Sequence, residues 1–202
     1  MEYSFIMFKK FNIICLLLVL LLSTVSAASY YDAGSQRFKL GLGFMYPVSV
    51  THFDTNDTKF GIGEGNTNLK LGGGGSISYQ VFSSQRLAIG GEIGYSFNKI
   101  IDDTLMSNVP ILFKATWFPV SGDIDIPISV GAGISYLSAS EGSSLFTLMA
   151  TADIGVDYYF NPHWGVGLNI GYWIVPELYP ANKEKNGLGT FAPATITLTY
   201  RQ

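Results

Sequence analysis

Arg86–Phe97, read RLAIGGEIGYSF, alternates without a slip. Leu87, Ile89, Gly91, Ile93, Tyr95 and Phe97 fall on one face at a period of two, and Ala88, Gly90, Glu92, Gly94 and Ser96 on the other. That period belongs to a β-strand, and its first face is wholly apolar. The second face carries glycine, small residues and a single acid, unlike the Lys/Glu-rich outside of a soluble sheet. If the apolar face is the outer one, the solvent it meets is lipid.

The whole chain has the composition this stretch calls for. Of 202 residues, 48% are hydrophobic and only 13% are charged, against a usual charged share of about 25%. The net charge of −3 offers no basic patch for nucleic acid. The 23 glycines are spread along the chain, too many for a helical protein and without a collagen period.

Residues 1–27 read as a secretory signal peptide. Lys9 and Lys10 precede the apolar run Phe11–Leu22, and Ser23–Ala28 supplies small residues for cleavage after Ala27. Cys15, the only cysteine, lies inside the apolar run behind Ile14, which does not fit a lipoprotein signal. The mature chain, 28–202, therefore has no disulfide, thiolate metal site or cysteine nucleophile. It also has no run of about 18 apolar residues, so a membrane-spanning form must be a closed barrel, the alternative that pairs every backbone group in lipid.

Seven further segments repeat the alternation. After the polar lead-in Ala28–Gln36 they are Arg37–Tyr46, Leu69–Phe82, Leu105–Phe118, Ile124–Ser138, Leu145–Phe160, Trp164–Val175 and Thr190–Arg201. The connections alternate in length. Pro47–Asn68, Asn98–Thr104, Ala139–Ser144 and Pro176–Gly189 are the longer ones, and the ends of Pro47–Asn68 can prolong its neighbouring strands. Between them lie the short turns Ser83–Gln85, Pro119–Asp123 and Asn161–His163. Short turns are periplasmic and long loops external, which places both termini on the periplasmic side. The outward aromatics sort into two belts: Phe38, Tyr79, Trp117, Tyr158, Phe160, Trp164 and Tyr200 at the periplasmic end, and Phe44, Tyr46, Tyr95, Phe97, Tyr136, Phe146 and Tyr172 at the other. The expected fold is all-β, an eight-stranded antiparallel up-and-down transmembrane β-barrel in the outer membrane.

On this architecture, on Asn108–Lys114 (NVPILFK) and on the final Ile196–Arg201 (ITLTYR), the mature chain resembles the small eight-stranded outer-membrane proteins of the OmpW, OmpX and OmpA-barrel group. The resemblance implies that Ile196, Leu198 and Tyr200 form the signal read by the barrel-assembly machinery. Gln202 stands where that signal usually ends in an aromatic, so Tyr200 carries more of it.

Inward charges are Lys39, Lys114 and Arg201 against Glu92, Asp125, Asp153 and Asp157. An eight-stranded barrel is just wide enough for its own side chains, so these should pair, Glu92 with a cation such as Lys114. They either plug the lumen or line a narrow polar path. The inward glycines leave volume for Met45, Leu112, Met149, Tyr159 and Trp173 to fill, or for water. Inward Pro110, Pro127 and Pro193 each remove a ladder donor and predict bulges or local breaks; a break could open the wall towards lipid, or simply mark strand ends.

No residue set points to an enzyme. His163 sits in a turn with no serine close by; His52, with Asp54 and Ser49 nearby, matches no catalytic motif. Two histidines so placed make a poor metal site, and Gly72–Gly75 lacks the Lys-Ser/Thr and helix of a phosphate loop. No catalytic residue, metal or cofactor is expected. A lipocalin, the rival eight-stranded fold, would carry a charged outer face. Two functions remain open: a narrow channel or uptake barrel for ions or small molecules, hydrophobic ones among them, and a closed structural barrel whose loops 47–68 and 176–189 act in adhesion or ligand binding. The partners expected are outer-membrane lipid, the assembly machinery, and a small solute or extracellular ligand.

Overall fold

The computed structural model describes residues 30–139, 144–178 and 186–202. The signal segment lies outside them, as do parts of the loops Ala139–Ser144 and Pro176–Gly189. The strands are β1 (Gln36–His52), β2 (Asp57–Phe60), β3 (Gly72–Ser84), β4 (Leu87–Lys99), β5 (Leu105–Trp117), β6 (Ile124–Asp125), β7 (Ile128–Ala139), β8 (Ser144–Tyr159), β9 (Trp164–Glu177) and β10 (Gly187–Arg201). All pairings are antiparallel, in the order β10-β9-β8-β7-β5-β4-β3-β1, and β10 pairs back onto β1. β6 and β7 are two pieces of one strand, since both lie against β8 in the same register, and β2 only folds back on the end of β1. The result is a closed eight-stranded barrel.

Parity decides the two faces. On β4 the outward residues of the opening stretch are exposed, while Ala88, Glu92, Gly94 and Ser96 are buried. β8 alternates in the same way over nearly its whole length, with Met149, Thr151, Asp153 and Asp157 inward. Because the outer face is apolar along every strand, a continuous hydrophobic band surrounds a polar interior, the inverse of a soluble barrel. The ends of the wall meet at Gln36 and Gln202, which exchange two backbone hydrogen bonds of 2.8 and 2.9 Å.

Several expected boundaries move, each for a physical reason. The first strand does not stop at Tyr46. It runs through Pro47 to His52, with a register shift between Pro47 and Ser49, and β10 lengthens to Gly187 to pair with it. Much of 47–68 is therefore a raised β-arm rather than a loop. The second strand starts at Gly72 rather than Leu69, which makes an isolated bridge to Ile100 and turns its side chain into the barrel mouth. The fourth strand ends at Trp117, and Phe118 folds under the barrel. The fifth is interrupted at Ile126–Pro127.

The three inward prolines produce breaks without a change of register. Pairing lapses opposite Pro110 in β4–β5, at Pro127 against β8, and at Pro193 in β10–β9. Each proline faces a glycine across the gap: a Cβ at Gly94, Gly155 or Gly171 would lie 3.2, 3.4 or 3.1 Å from the Cγ of Pro110, Pro127 or Pro193. The ring fills the space of the missing side chain, so the wall stays closed where the ladder loses a bond.

Candidate functional site

Among the described residues the lumen concentrates the buried polar groups, and it is built in three layers. At the end that carries the termini, the lead-in turns inward. Tyr31 stacks on Phe82 at 3.8 Å between ring centroids, with Phe118 beside them. Its hydroxyl donates a short hydrogen bond to Asp125. The Arg201 guanidinium lies between the rings of Tyr30 and Tyr159, 3.6 and 3.5 Å from their centroids, a cation–π sandwich. Arg201 also donates to the Gly122 and Pro162 carbonyls at 2.7 and 3.0 Å and lies 3.6 Å from Asp125. Just above, Arg37 pairs with Asp157, both side chains at most 2% exposed, and Thr197 donates to the same carboxylate at 2.8 Å.

The middle layer centres on Lys114. Its Nζ lies 2.6 Å from Asp153 and 3.2 Å from Glu92. Beside it, Gln80 donates to Thr116 at 2.7 Å, and Thr116 and Ser129 share a bond of 2.9 Å. Lys39 stands apart, its ammonium donating to Asn169 Oδ1 at 3.3 Å. The third layer closes the end opposite the termini with Met45, Leu69, Leu112, Leu137, Met149, Trp173, Val175 and Phe191. A small cavity of about 20 Å³ lies between Trp173, Met45, Ser76 and Thr195.

Register explains how so narrow a lumen holds these groups. Asp153 and Asp157 on β8 face Gly171 and Gly167 on β9. A Cβ at either glycine would collide with the carboxylate opposite. These glycines do not leave space for water; they are the seats of the aspartates. Tyr159 occupies the place above Gly165 in the same way.

All seven sequence-predicted charges point inward, in separate groups: Lys114 with Glu92 and Asp153, Arg201 with Asp125, Asp157 with Arg37, and Lys39 with an amide alone. Arg37, Tyr30 and Tyr31 were missed. Arg37 shares the inward parity of Lys39, which is the signal that could have found it. Tyr30 and Tyr31 lie in an aperiodic lead-in where no face can be assigned. Ile196 and Leu198 face outward, with Tyr200 beside Trp164 at 5.0 Å between centroids. His163 Nδ1 lies 3.0 Å from the Arg201 carbonyl oxygen. His52 ends β1, paired with Asp57 and Gly187. Among the described residues no group of three or more His, Cys, Asp or Glu is placed to hold a metal.

Outside the wall, a depression of about 640 Å³ runs over Gly75 between Leu40, Leu42, Ile77, Ile93 and Tyr95. It lies on the apolar outer face, and its lining is almost wholly apolar. Beyond the rim opposite the termini, Asp103 accepts from Lys70 at 2.8 Å, with Lys99 at 4.0 Å. The Lys70 hydrogen bond and charge hold the Asp103 carboxyl below its ordinary range, with Lys99 adding to the effect.

A family model that carries no functional description matches residues 22–200. An uncharacterised protein of Borreliella burgdorferi is 25% identical over 95% of this chain and 97% of its own length. An uncharacterised protein of Treponema pallidum is 30% identical over 53% of this chain, a match that spans 48% of that protein. Among solved structures, Neisserial surface protein A superposes with a TM-score of 0.55 at 11% identity, covering 83% of this chain and 98% of that one. The outer membrane protein OprG of Pseudomonas aeruginosa gives 0.52 at 10% identity over 87% and 99%. At such identities the likeness is one of fold, and the fold is that of small outer-membrane barrels.

Proposed function

We propose that this chain, which belongs to the uncharacterised family matched over residues 22–200, is a closed barrel anchored in the outer membrane that acts through its outer surface rather than by conduction. One observation carries the reading: three successive layers, the Arg201–Tyr31 floor, the Lys114 ion cluster and the Trp173 lid, fill the lumen in series. A path for solutes would require all three to part.

The outer surface supports the same reading. β1, β2, β9 and β10 rise together as an arm, tied at its tip by the Phe53 N–H donating to the Asn186 carbonyl at 3.0 Å. Phe53, Phe60 and Ile62 are exposed on it. Apolar side chains displayed on an extramembrane arm mark a surface for contact. On the reading that both termini are periplasmic, loops 47–68 and 176–189 face the environment, where they serve adhesion or ligand binding.

The rival, a narrow path for ions or small molecules, draws support from the glycine-rich interior near Lys39. Swelling of proteoliposomes in small sugars and salts separates the two. The closed reading expects rates equal to those of protein-free vesicles; solute-dependent swelling would overturn it. Protease added to intact cells should cut within 47–68 and leave a terminal tag untouched; removal of the tag would reverse the orientation.

A further inference from the structure

The four strand ends of the arm stand in register, so residues that pair across β9, β10, β1 and β2 share one face. Ile174, Thr190, Ser49 and Phe60 form one such row, and Pro176, Leu188, Thr51 and Thr58 form another on the same face. Ile174 continues the outward parity of Ile170 and Tyr172, so this is the outer face, turned away from the barrel axis. The alternate rows turn the other way and carry His52, Asp57, Lys59 and Glu177. Every titratable group in these four rows therefore lies on the inner face. A small sheet standing in water on both sides has no reason to sort its charges in this way.

The polar side chains of the outer face are spent on one another. Ser49 Oγ and Thr190 Oγ1 share a bond of 2.7 Å, and Thr51 Oγ1 and Thr58 Oγ1 one of 3.0 Å. Hydroxyls washed by water need no protein partner, whereas hydroxyls in a poorly hydrated layer do. Beside these pairs Phe60 is 64% exposed.

Position identifies what covers the face. A Cβ at Gly61, just past the end of β2, would stand 3.5 Å from the Tyr46 hydroxyl, and Tyr46 is the last outward aromatic of β1 before its bulge. Ser49, opposite Phe60, follows three residues after Tyr46. That is about 10 Å along a strand and about 7–8 Å along the membrane normal at the usual tilt. The headgroup layer beyond the hydrocarbon is about 5–8 Å deep, which keeps Phe60 within its reach.

We propose that the outer face of the arm, centred on Phe60, lies against the headgroup layer of the same membrane that holds the barrel. The contact continues the apolar band of the wall, and it offers no charge or unspent hydroxyl by which a protein partner would be recognised. Resting on the display of the arm beyond the barrel proposed above, this contact names lipid as the partner of Phe60 and leaves the inner face, with His52, Asp57, Lys59 and Glu177, to the environment.

Spin labels placed on the mature chain test this, since its sequence has no cysteine of its own. Phe60→Cys and Thr58→Cys would be labelled on the outer face, Lys59→Cys on the inner face and Phe44→Cys in the band, each in vesicles of phosphatidylcholine and phosphatidylglycerol. Accessibility to oxygen, which concentrates in lipid, is compared with accessibility to a water-soluble nickel chelate. The expected ratio of oxygen to nickel accessibility is several-fold higher at 58 and 60 than at 59, and closest to that at 44. Labels at 58 and 60 as open to nickel as the label at 59, or shielded from both reagents, would overturn the contact. Conductance by the barrel, or a reversed orientation, would defeat the proposed function and leave this ratio unchanged.

Discussion

The two ends of the lumen are closed by different physics. At the end that carries the termini, Arg201, Asp125, Tyr31, Arg37 and Asp157 hold one another through directional bonds, in side chains with almost no exposure. At the opposite end, Met45, Leu112, Met149 and Trp173 make contact through apolar surface alone. Ion pairs buried this deeply do little for net stability, but they allow one arrangement and penalise all others. An apolar lid tolerates repacking and loses little specificity. The floor fixes where the wall closes on itself, since Arg201 and Gln202 end the strand that pairs with β1; the lid only has to exclude solvent.

This contrast can be broken at graded cost. Arg37→Ala leaves Asp157 buried without its cation and should lower stability by about 3–5 kcal/mol, measured by urea unfolding of the refolded barrel in detergent. Arg37→Met with Asp157→Leu should recover most of that loss; failure to recover would mean that the floor stabilises through more than its charge balance. Leu112→Ala in the lid should cost about 2–3 kcal/mol while the melt stays cooperative, as expected where neighbours can partly collapse. Gly167→Ala keeps every charge but drives a methyl into the Asp157 carboxylate, at about 1–3 kcal/mol; a neutral result would show that the aspartate is not seated over the glycine.

The smallest effect belongs to the rim opposite the termini. Asp103 has its folded pKa depressed by Lys70, so its contribution is present above the ordinary carboxylate value of about 3.9 and is lost as pH falls through the lower folded value. Exposed pairs of this kind contribute little. Asp103→Asn should therefore lower the unfolding midpoint only slightly at neutral pH, and that small difference from the wild type should vanish as pH falls through the folded value.

Strand identity was legible in the sequence because a period of two with one apolar face is written residue by residue, as in Arg86–Phe97. The inward direction of the seven charges followed from the same parity. Glu92 and Lys114 could be matched because they stand on neighbouring strands; Asp153 reaches Lys114 from β8, two strands from β5, which requires the register of the whole wall. Register also decides that Gly167 and Gly171 seat carboxylates and that each inward proline meets a glycine, and no local pattern carries it. The stretch after Tyr46 reads as a loop because it is polar and rich in Thr, Asn, Asp and Gly, with ends that can prolong its neighbours; on the first strand that prolongation is found, a bulge absorbing Pro47 as the strand continues to His52. Tyr30 and Tyr31 have no periodic context, and their place is set by the Arg201 and Phe82 surfaces they meet.

The central claim is that the lumen is closed by three layers in series. Single-channel recording of the refolded wild-type protein in planar bilayers tests it most directly. The account predicts a silent membrane across the voltage range, and steady, reproducible openings of the wild type would contradict it.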